Sequence, residues 1–420
     1  MTTSKTLWRI VRFSRKIWVR AALYSLLAVA AALLALVLKP YVPDDLPTAI
    51  GADAVDSLLT ILGSSMLAVT TFTLNIMVSS YASAAGAATP RATGLLIEDD
   101  TSQSVLATFL GSFLYSLIGL IILRTGLYGA HGRVVLFGFT VFVILTITVT
   151  FLRWINRLST LGRIQDTLSR VEDAAREALN WRVANPYFGG MPLQEIPADA
   201  EPIYSRAIGY VSHVDAGALS SLASDFDGDL YLIATPGAFV EPSSPVAYVR
   251  GKNPPKETGA LDDCITIENE RTYSQDPRFG VIVLSEIASR ALSPAVNDPG
   301  TAIDVLGRLV RVLSDLGGAA DEGMPLYENL YVPRLRTHDL FNDAFRAIGR
   351  DGAGLVEVAI RLQKSLRMLA RTGIAHFESA ATEQSQIALH HAEKALAVDE
   401  DKAIVRALAA SVAAQASRAP

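Results

Sequence analysis

Leu58 to Tyr81, LLTILGSSMLAVTTFTLNIMVSSY, is the stretch that decides how the rest of the chain is read. It runs 24 residues without a formal charge, and about 20 apolar residues suffice for a helix to cross the hydrocarbon core of a bilayer. Among its polar members are Thr60, Ser64, Thr71, Asn75 and Ser79, and with Ala68 they recur at intervals of 4, 4, 3, 4 and 4. Those intervals set all six on one helical face. Polar and small side chains at membrane depth meet protein or water rather than lipid. Thr60, Ser64, Thr71, Asn75 and Ser79 are therefore candidate pore-facing residues, and a close-packing seam between helices is the competing reading of the same face. Asn75 is the most telling member, because a primary amide withdrawn from water must find partners.

Working outward, three more uncharged apolar runs occur: Ala21 to Leu38, Val105 to Leu123 and Val134 to Leu152. The first is preceded by Lys5, Arg9, Arg12, Arg15, Lys16 and Arg20 with Trp8 and Trp18 among them, and is followed by Lys39-Pro40-Tyr41. A cleaved secretion signal would instead end in small residues after a shorter apolar core. Basic residues stay on the cytoplasmic side. With the N-terminus inside, eleven Lys and Arg flank the spans on that side, against Lys39, Arg124 and Arg133 outside. Both termini are expected in the cytoplasm.

The composition agrees with a chain that is part membrane and part soluble. Half of the 420 residues are hydrophobic, 19% are charged and mean hydropathy is +0.31, where soluble domains carry roughly a quarter charged residues. Met1 to Arg170 holds 14 Lys and Arg against 8 Asp and Glu, and the remainder holds 23 against 34. An acidic C-terminal part argues against nucleic-acid binding, which needs clustered cations. The single cysteine, Cys264, excludes a disulfide-stapled secreted scaffold.

The expected fold is an α+β membrane protein: a four-span helical part, a small cytoplasmic β domain and a cytoplasmic helical bundle. Residues 1–152 form the transmembrane domain with helices at about 21–38, 58–81, 105–123 and 134–152. Residues 153–202 supply an amphipathic helix continuing from the fourth span, with apolar residues from Ile155 to Ala175 at spacings of three and four, and then a proline-rich linker. Short strand-like runs separated by turn residues place the β domain at 203–275, as an antiparallel barrel or sandwich. Asp225, Asp227 and Asp229 read as turn acids, since the ligand series of a calcium loop is missing. Residues 276–420 are helical. Asp276-Pro277 and Asp298-Pro299 each look like a helix start, with Asp accepting from orphan amides and Pro at the first position. Long helices are expected at His338 to Thr372 and Ile374 to Ser417.

Arg271-Thr272-Tyr273-Ser274-Gln275-Asp276-Pro277-Arg278-Phe279-Gly280, followed by Glu286-Ile287-Ala288-Ser289-Arg290-Ala291-Leu292-Ser293-Pro294-Ala295-Val296-Asn297-Asp298-Pro299, resembles the bacterial predicted membrane proteins of domain of unknown function family 2254. The likeness extends to Thr89-Pro90-Arg91, to Phe109-Leu110-Gly111-Ser112-Phe113-Leu114-Tyr115, and to His338-Asp339-Leu340-Phe341-Asn342-Asp343-Ala344-Phe345. The resemblance implies a multi-span inner-membrane protein with a cytoplasmic domain and no established activity. It marks Arg271, Gln275, Asp276, Arg290, Ser293, Asn297 and Asp298 as the family-motif candidates, read either as a shared functional set or as caps and ion pairs fixing two helices.

No phosphate-binding glycine loop with its Lys-Ser/Thr, no nucleophile elbow and no metal-ligand spacing of histidines occurs in the sequence. No cofactor and no metal is expected. The partners expected are the lipid bilayer and further copies of the chain as a homo-oligomer, with no nucleic acid and an unassigned ligand. Two functions fit: a channel or transporter with a cytoplasmic regulatory domain, or a membrane-anchored sensory or scaffold protein without a pore.

Overall fold

The computed structural model describes residues 4–14, isolated positions between 18 and 37, and residues 52–97, 99–125, 129–255, 259–317 and 324–416. The chain divides into two compact units, one made of Ile10–Thr167 and the other of Met1–Arg9 with Leu168–Pro420. Helix α1, Lys5–Ser14, carries the chain from the second unit into the first.

In the unit of residues 10–167, α2 spans Ala52–Ala87, α3 Pro90–Ile97, α4 Asp100–Arg124 and α5 Gly129–Leu158. Three helical stretches are long and apolar enough to cross a membrane: Ala54–Ala87, Asp100–Arg124 and His131–Leu158. They contain the second, third and fourth spans read from the sequence. The first, Ala21 to Leu38, lies largely outside the described residues. With 36 residues, α2 extends about 54 Å at 1.5 Å per residue and outruns the hydrocarbon core. It stops just before Pro90, which opens α3.

The central helix of this unit is α4, with 56% of its apolar window buried, against 28% for α2 and 22% for α5. Two small residues let α2 and α4 approach: a Cβ on Gly63 would sit 3.6 Å from that of Ser116, and one on Gly119 would sit 3.2 Å from Leu59. Phe109, Leu59, Leu136 and Trp154 fill the seams between the helices. At one end, Asp99 caps α4 by accepting from the Ser102 N–H at 3.1 Å and pairs with Arg157 at 3.2 Å. Arg157 also forks Asp166, with both bonds at 2.9 Å. Arg157 is thus shared by the carboxylates of Asp99 and Asp166.

The helix expected to run on unbroken from the fourth span is interrupted at 159–163, where Gly162 takes a left-handed φ of 80° against Ser80. It resumes as α6, Ile164–Ala184.

The other unit has two sheets and a helical bundle. Its strands are β1 Met191–Pro192, β2 Glu201–Tyr204, β3 Gly209–Val214, β4 Asp229–Leu232, β5 Phe239–Val240, β6 Pro245–Arg250, β7 Ile265–Glu268 and β8 Leu330–Val332, with α7, Ala216–Asp225, between β3 and β4. One sheet has the order β1-β8-β4-β6-β2 and the other β5-β3-β7. The expected boundary of the β domain at 203–275 is corrected by this topology. The five-stranded sheet draws β1 from the presumed linker and β8 from the presumed helical region, and β8 pairs in parallel with both β1 and β4. Tyr331 of β8 stacks on Tyr231 of β4 at 4.8 Å, a cross-strand aromatic pair that fixes the register.

The bundle consists of α8 Phe279–Ala291, α9 Pro299–Ser314, α10 Thr337–Asp351, α11 Val356–Ala370, α12 Phe377–Ala395 and α13 Asp399–Ala416. Each of the two long helices expected here is two. His338 to Thr372 breaks after Asp351, where the Gly352 N–H closes α10 on the Ile348 carbonyl at 2.9 Å. Ile374 to Ser417 breaks at Leu396, whose extended backbone ends α12.

Candidate functional site

The face of α2 that carries Thr60, Ser64, Ala68, Thr71, Asn75 and Ser79 points outward, and all six residues are exposed on the single chain. The opposite face holds Val55, Leu59, Leu62, Met66 and Met77 and packs inside the unit. Two hydroxyls of the outward row satisfy themselves within the helix. Ser64 Oγ donates to the Thr60 carbonyl at 2.9 Å and Thr71 Oγ1 to the Leu67 carbonyl at 3.0 Å. Asn75 makes no side-chain hydrogen bond to any described residue.

The polar seam between helices lies elsewhere, on α4, which the sequence reading did not single out. Thr108, Ser112 and Ser116 recur every four residues, are buried, and donate to the carbonyls of Ser104, Thr108 and Ser112 at 2.8, 2.7 and 2.9 Å. Tyr115, also buried, reaches Thr140 Oγ1 on α5 at 3.0 Å. The same 3.6-residue periodicity rule could have found this row, but short Ser and Thr side chains among Leu, Phe and Gly give a weaker signal than an amide does.

The family-motif residues divide into two groups at the two ends of α8. Arg271 grips Asp276 at one end, with its Nε and Nη2 both 2.7 Å from Oδ2. The carboxylate is 2% exposed, and its Oδ1 accepts from the Arg278 N–H at 3.1 Å. Burial pushes the Asp276 carboxyl above its ordinary value, and the charge and hydrogen bonds of Arg271 pull against that. Gln275 clamps the Val214 peptide at the end of β3, accepting from its N–H at 2.8 Å and donating to its carbonyl at 3.3 Å. Gly237, with φ 92°, sits where a Cβ would come within 2.5 Å of Asp276 Oδ2, so no other residue fits that turn.

Asp276 is not the N-cap that the sequence suggested. Helix α8 begins at Phe279 with Arg278 at the capping position, so the Asp276 carboxylate closes the turn before the helix. Asp298 does cap α9, accepting from the Thr301 N–H at 3.1 Å and its hydroxyl at 2.6 Å, with Pro299 at the helix start. Those bonds hold its carboxyl below its ordinary value. Arg290, Asn297 and Asp298 are exposed and Ser293 is half-buried. Asn297 takes a left-handed φ of 49°, which its short amide side chain tolerates. The 13 residues of α8 separate the two groups by about 20 Å, too far for one small ligand.

Structure also connects the motif to residues not singled out from sequence. Arg278 forks Asp343 on α10 at 2.6 and 3.0 Å and reaches Asp339 at 3.3 Å. Two segments that carry the family resemblance, separated by about sixty residues of chain, therefore meet in one ion-pair cluster. Gly280 lets α8 touch α6: a Cβ there would lie 2.5 Å from that of Ala175. Beside it, the buried Glu172 of α6 accepts from Arg308 at 2.7 Å and from Arg311 at 2.6 and 2.9 Å, both on α9. Burial alone would raise the Glu172 carboxyl, but the bonds and charges of Arg311 and Arg308 outweigh it and hold the group below its ordinary value. Among the described residues no group of three or more His, Cys, Asp or Glu is placed to hold a metal ion.

The sequence profile of the family described as "Predicted membrane protein (DUF2254)" matches residues 14–368. The chain belongs to this family. The match takes in the three described spans, the sheets and the motif at both ends of α8. Uncharacterized proteins of Mycobacterium bovis and of Mycobacterium tuberculosis strain H37Rv are each 33% identical to this DUF2254 chain over 170 residues. That alignment covers 39% of this chain and 30% of each relative, so the aligned part is under a third of the relatives' length. No solved structure matches the chain.

Proposed function

We propose that this DUF2254 protein is a homo-oligomeric channel or transporter of a bacterial inner membrane, with the α2 row lining a permeation path and the unit of residues 168–420 acting as its cytoplasmic regulator. The observation that carries the reading is Asn75 on the outward face of α2, exposed among Thr60, Ser64, Thr71 and Ser79. In one chain that face would meet lipid, where an unpaired amide is costly. Several copies arranged with α2 inward would give it water and partners, and one span is too narrow to enclose a pore alone.

The topology of the proposal has support of its own. Met1–Arg9 and Leu168–Pro420 belong to one compact unit, and parts of one soluble unit share one side of a bilayer. That requires an even number of crossings, and the described spans number three. Ala21 to Leu38 is the segment available for the fourth. The described positions within it are helical, and Leu23, Leu26, Leu33 and Leu34 are exposed. With the basic flanks counted as above, both termini lie in the cytoplasm.

A scaffold without a pore has one specific observation in its favour. The hydroxyls of Ser64 and Thr71 are already bonded within their own helix, so their surface could pack dry against another copy. Cysteine accessibility separates the two. In the full chain with Cys264→Ser, single cysteines at Ser64, Ala68, Thr71 and Asn75 are expected to react with a water-soluble thiol reagent, and Asn75→Leu to abolish flux into proteoliposomes while leaving assembly intact. Refusal of the reagent at all four positions in a correctly assembled protein would overturn the pore and leave the scaffold.

A further inference from the structure

We propose that the outer face of α11, together with the start of α13, binds a second copy of the chain in antiparallel register, the basic end of each face lying on the acidic end of the other. The basic end is a stripe. From Val358 to Phe377 the sequence has four cations, Arg361, Lys364, Arg367 and Arg371, and no Asp or Glu. At about 100° per residue the four fall within about a third of the helix circumference, with Met368 among them. Lys364, Met368 and Arg371 are exposed, whereas Leu362 and Leu366 on the opposite side are buried. None of the four cations has an ion pair or a side-chain hydrogen bond to a described residue, and the Arg361 Nε is buried without a partner. The acids nearby are taken. A Cβ on Gly307 of α9 would lie 3.2 Å from Arg361 Nη2, but on that side Asp304 holds Arg308 at 2.9 Å, Glu172 holds Arg308 and Arg311, and Asp315 pairs with Arg176 at 2.6 Å. The helix dipole accounts for cations in the last turn of α11, not for Arg361 and Lys364 in its middle.

The acidic end lies beside the first turns of the same helix. Val356 and Ile360 pack with Leu396 and Val405 in one apolar cluster, and those last two bracket Asp399, Glu400 and Asp401 at the start of α13. Glu357, in the first turn of α11, adds a further acid. Asp399 has Lys402 at 3.5 Å, whereas Glu357, Glu400 and Asp401 have no ion pair among the described residues. From Glu357 to Arg371 the axis rises about 21 Å, so the two ends are well separated. A face that is acidic at one end and basic at the other complements itself, because a two-fold rotation lays each end on its opposite. A layer of anionic headgroups or a free polyanion would satisfy the basic end and be repelled by the acidic one. The occupant that fits the whole face is this chain. Exposed ion pairs are individually weak, but copies confined to one bilayer meet at high effective concentration. The contact goes beyond the permeation path and is compatible with a pore or a scaffold.

The test uses the full chain with Cys264→Ser in proteoliposomes, with cysteines at two exposed, uncharged positions beside the face, Thr372→Cys and Ala397→Cys. When chains carrying one cysteine each are co-reconstituted, a short bis-maleimide is expected to link position 372 of one copy to position 397 of another, and not 372 to 372. The yield should fall severalfold in about 0.5 M salt, which screens charges beyond a few ångström. Arg367→Glu with Arg371→Glu turns most of the face acidic, and Asp399→Lys with Glu400→Lys turns most of it basic. Each double variant alone should lose the link severalfold, and co-reconstitution of the two should restore it, which misfolded chains could not do. If a double variant does not fold, Arg371→Gln and Glu400→Gln replace it, and each should lower the yield. Equal yields in parent and variants, links of 372 to 372, indifference to salt, or folded double variants that do not link when mixed would each overturn the inference. Thiol accessibility along α2 is read separately, so failure here and failure of the pore are distinguishable.

Discussion

Two rows of small polar residues run along neighbouring helices of the membrane unit at nearly the same spacing and meet opposite surroundings. Thr108, Ser112 and Ser116 on α4 are buried; Thr60, Ser64, Thr71, Asn75 and Ser79 on α2 are exposed. On both helices hydroxyls are satisfied by a carbonyl one turn back, so hydrogen bonding does not distinguish them. What distinguishes them is size and reach. The α4 row is made only of short side chains beside Gly63 and Gly119, which is what close helix approach requires. The α2 row includes an amide that no carbonyl one turn back accommodates. A polar row thus serves as packing where every member can fold its polarity inward, and as a surface for water or another copy where one member cannot.

Burial should set the size of every effect, and the contrast is largest where the buried polar group carries a full charge. Glu172→Ala takes the shared buried carboxylate from Arg308 and Arg311 and leaves Arg308 with Asp304 at 2.9 Å, so the loss should be sizeable but stay below the about 3–5 kcal/mol of a wholly uncompensated buried charge. The melting temperature of the full chain in detergent is expected to fall accordingly. Because the Glu172 carboxyl is held below the ordinary value of 4.5 in the folded protein, its contribution is complete above that value and is lost as pH falls through the lower folded value. The gap between parent and variant should therefore be constant from pH 7 to pH 5.5 and narrow in more acidic buffer. A gap that instead widened on acidification would show that Glu172 is not the ionised hub of this cluster.

Within the membrane unit, Ser116→Leu and Ser64→Leu form a matched pair. The first forces a branched side chain against Gly63 and should destabilise by about 1–3 kcal/mol. The second lands on an exposed face and should change the stability of the single chain by no more than about 0.5 kcal/mol. Equal losses measured on dispersed protein would erase the distinction between the rows.

The finest probe is Tyr115→Phe, which removes a hydroxyl that lies 3.0 Å from Thr140 Oγ1 and donates to the Leu136 carbonyl at 3.3 Å. It should cost about 1 kcal/mol, read as a small drop in melting temperature. Thr71→Val, its counterpart on α2, should give none. A neutral Tyr115→Phe would mean that Thr140 is content with the Leu136 carbonyl it already reaches at 2.7 Å.

Much of this molecule was legible from residue order because the signals are local. An uncharged run long enough to cross a bilayer keeps that property whatever it packs against, and the runs around 58–81, 105–123 and 134–152 all lie in helices of spanning length. Helical geometry alone put Thr60, Ser64, Thr71, Asn75 and Ser79 on one face, and covalent chemistry alone made Asp298-Pro299 a helix start. The direction in which the α2 face points was decided only in three dimensions, because periodicity defines a face without naming its neighbour. The same holds for β8, three residues whose strand character comes from pairing with β1 and β4, and for Arg278, whose partners Asp339 and Asp343 lie some sixty residues away. Asp276 looked like a cap for the same reason: its sequence neighbours suit that role, and it took the tertiary approach of Arg271 and the turn at Gly237 to draw the carboxylate into a buried pair instead. Turns, caps and spans are fixed by interactions within a few residues, whereas the environment of a side chain is fixed by contacts between distant segments, and those form only when the whole chain closes on itself.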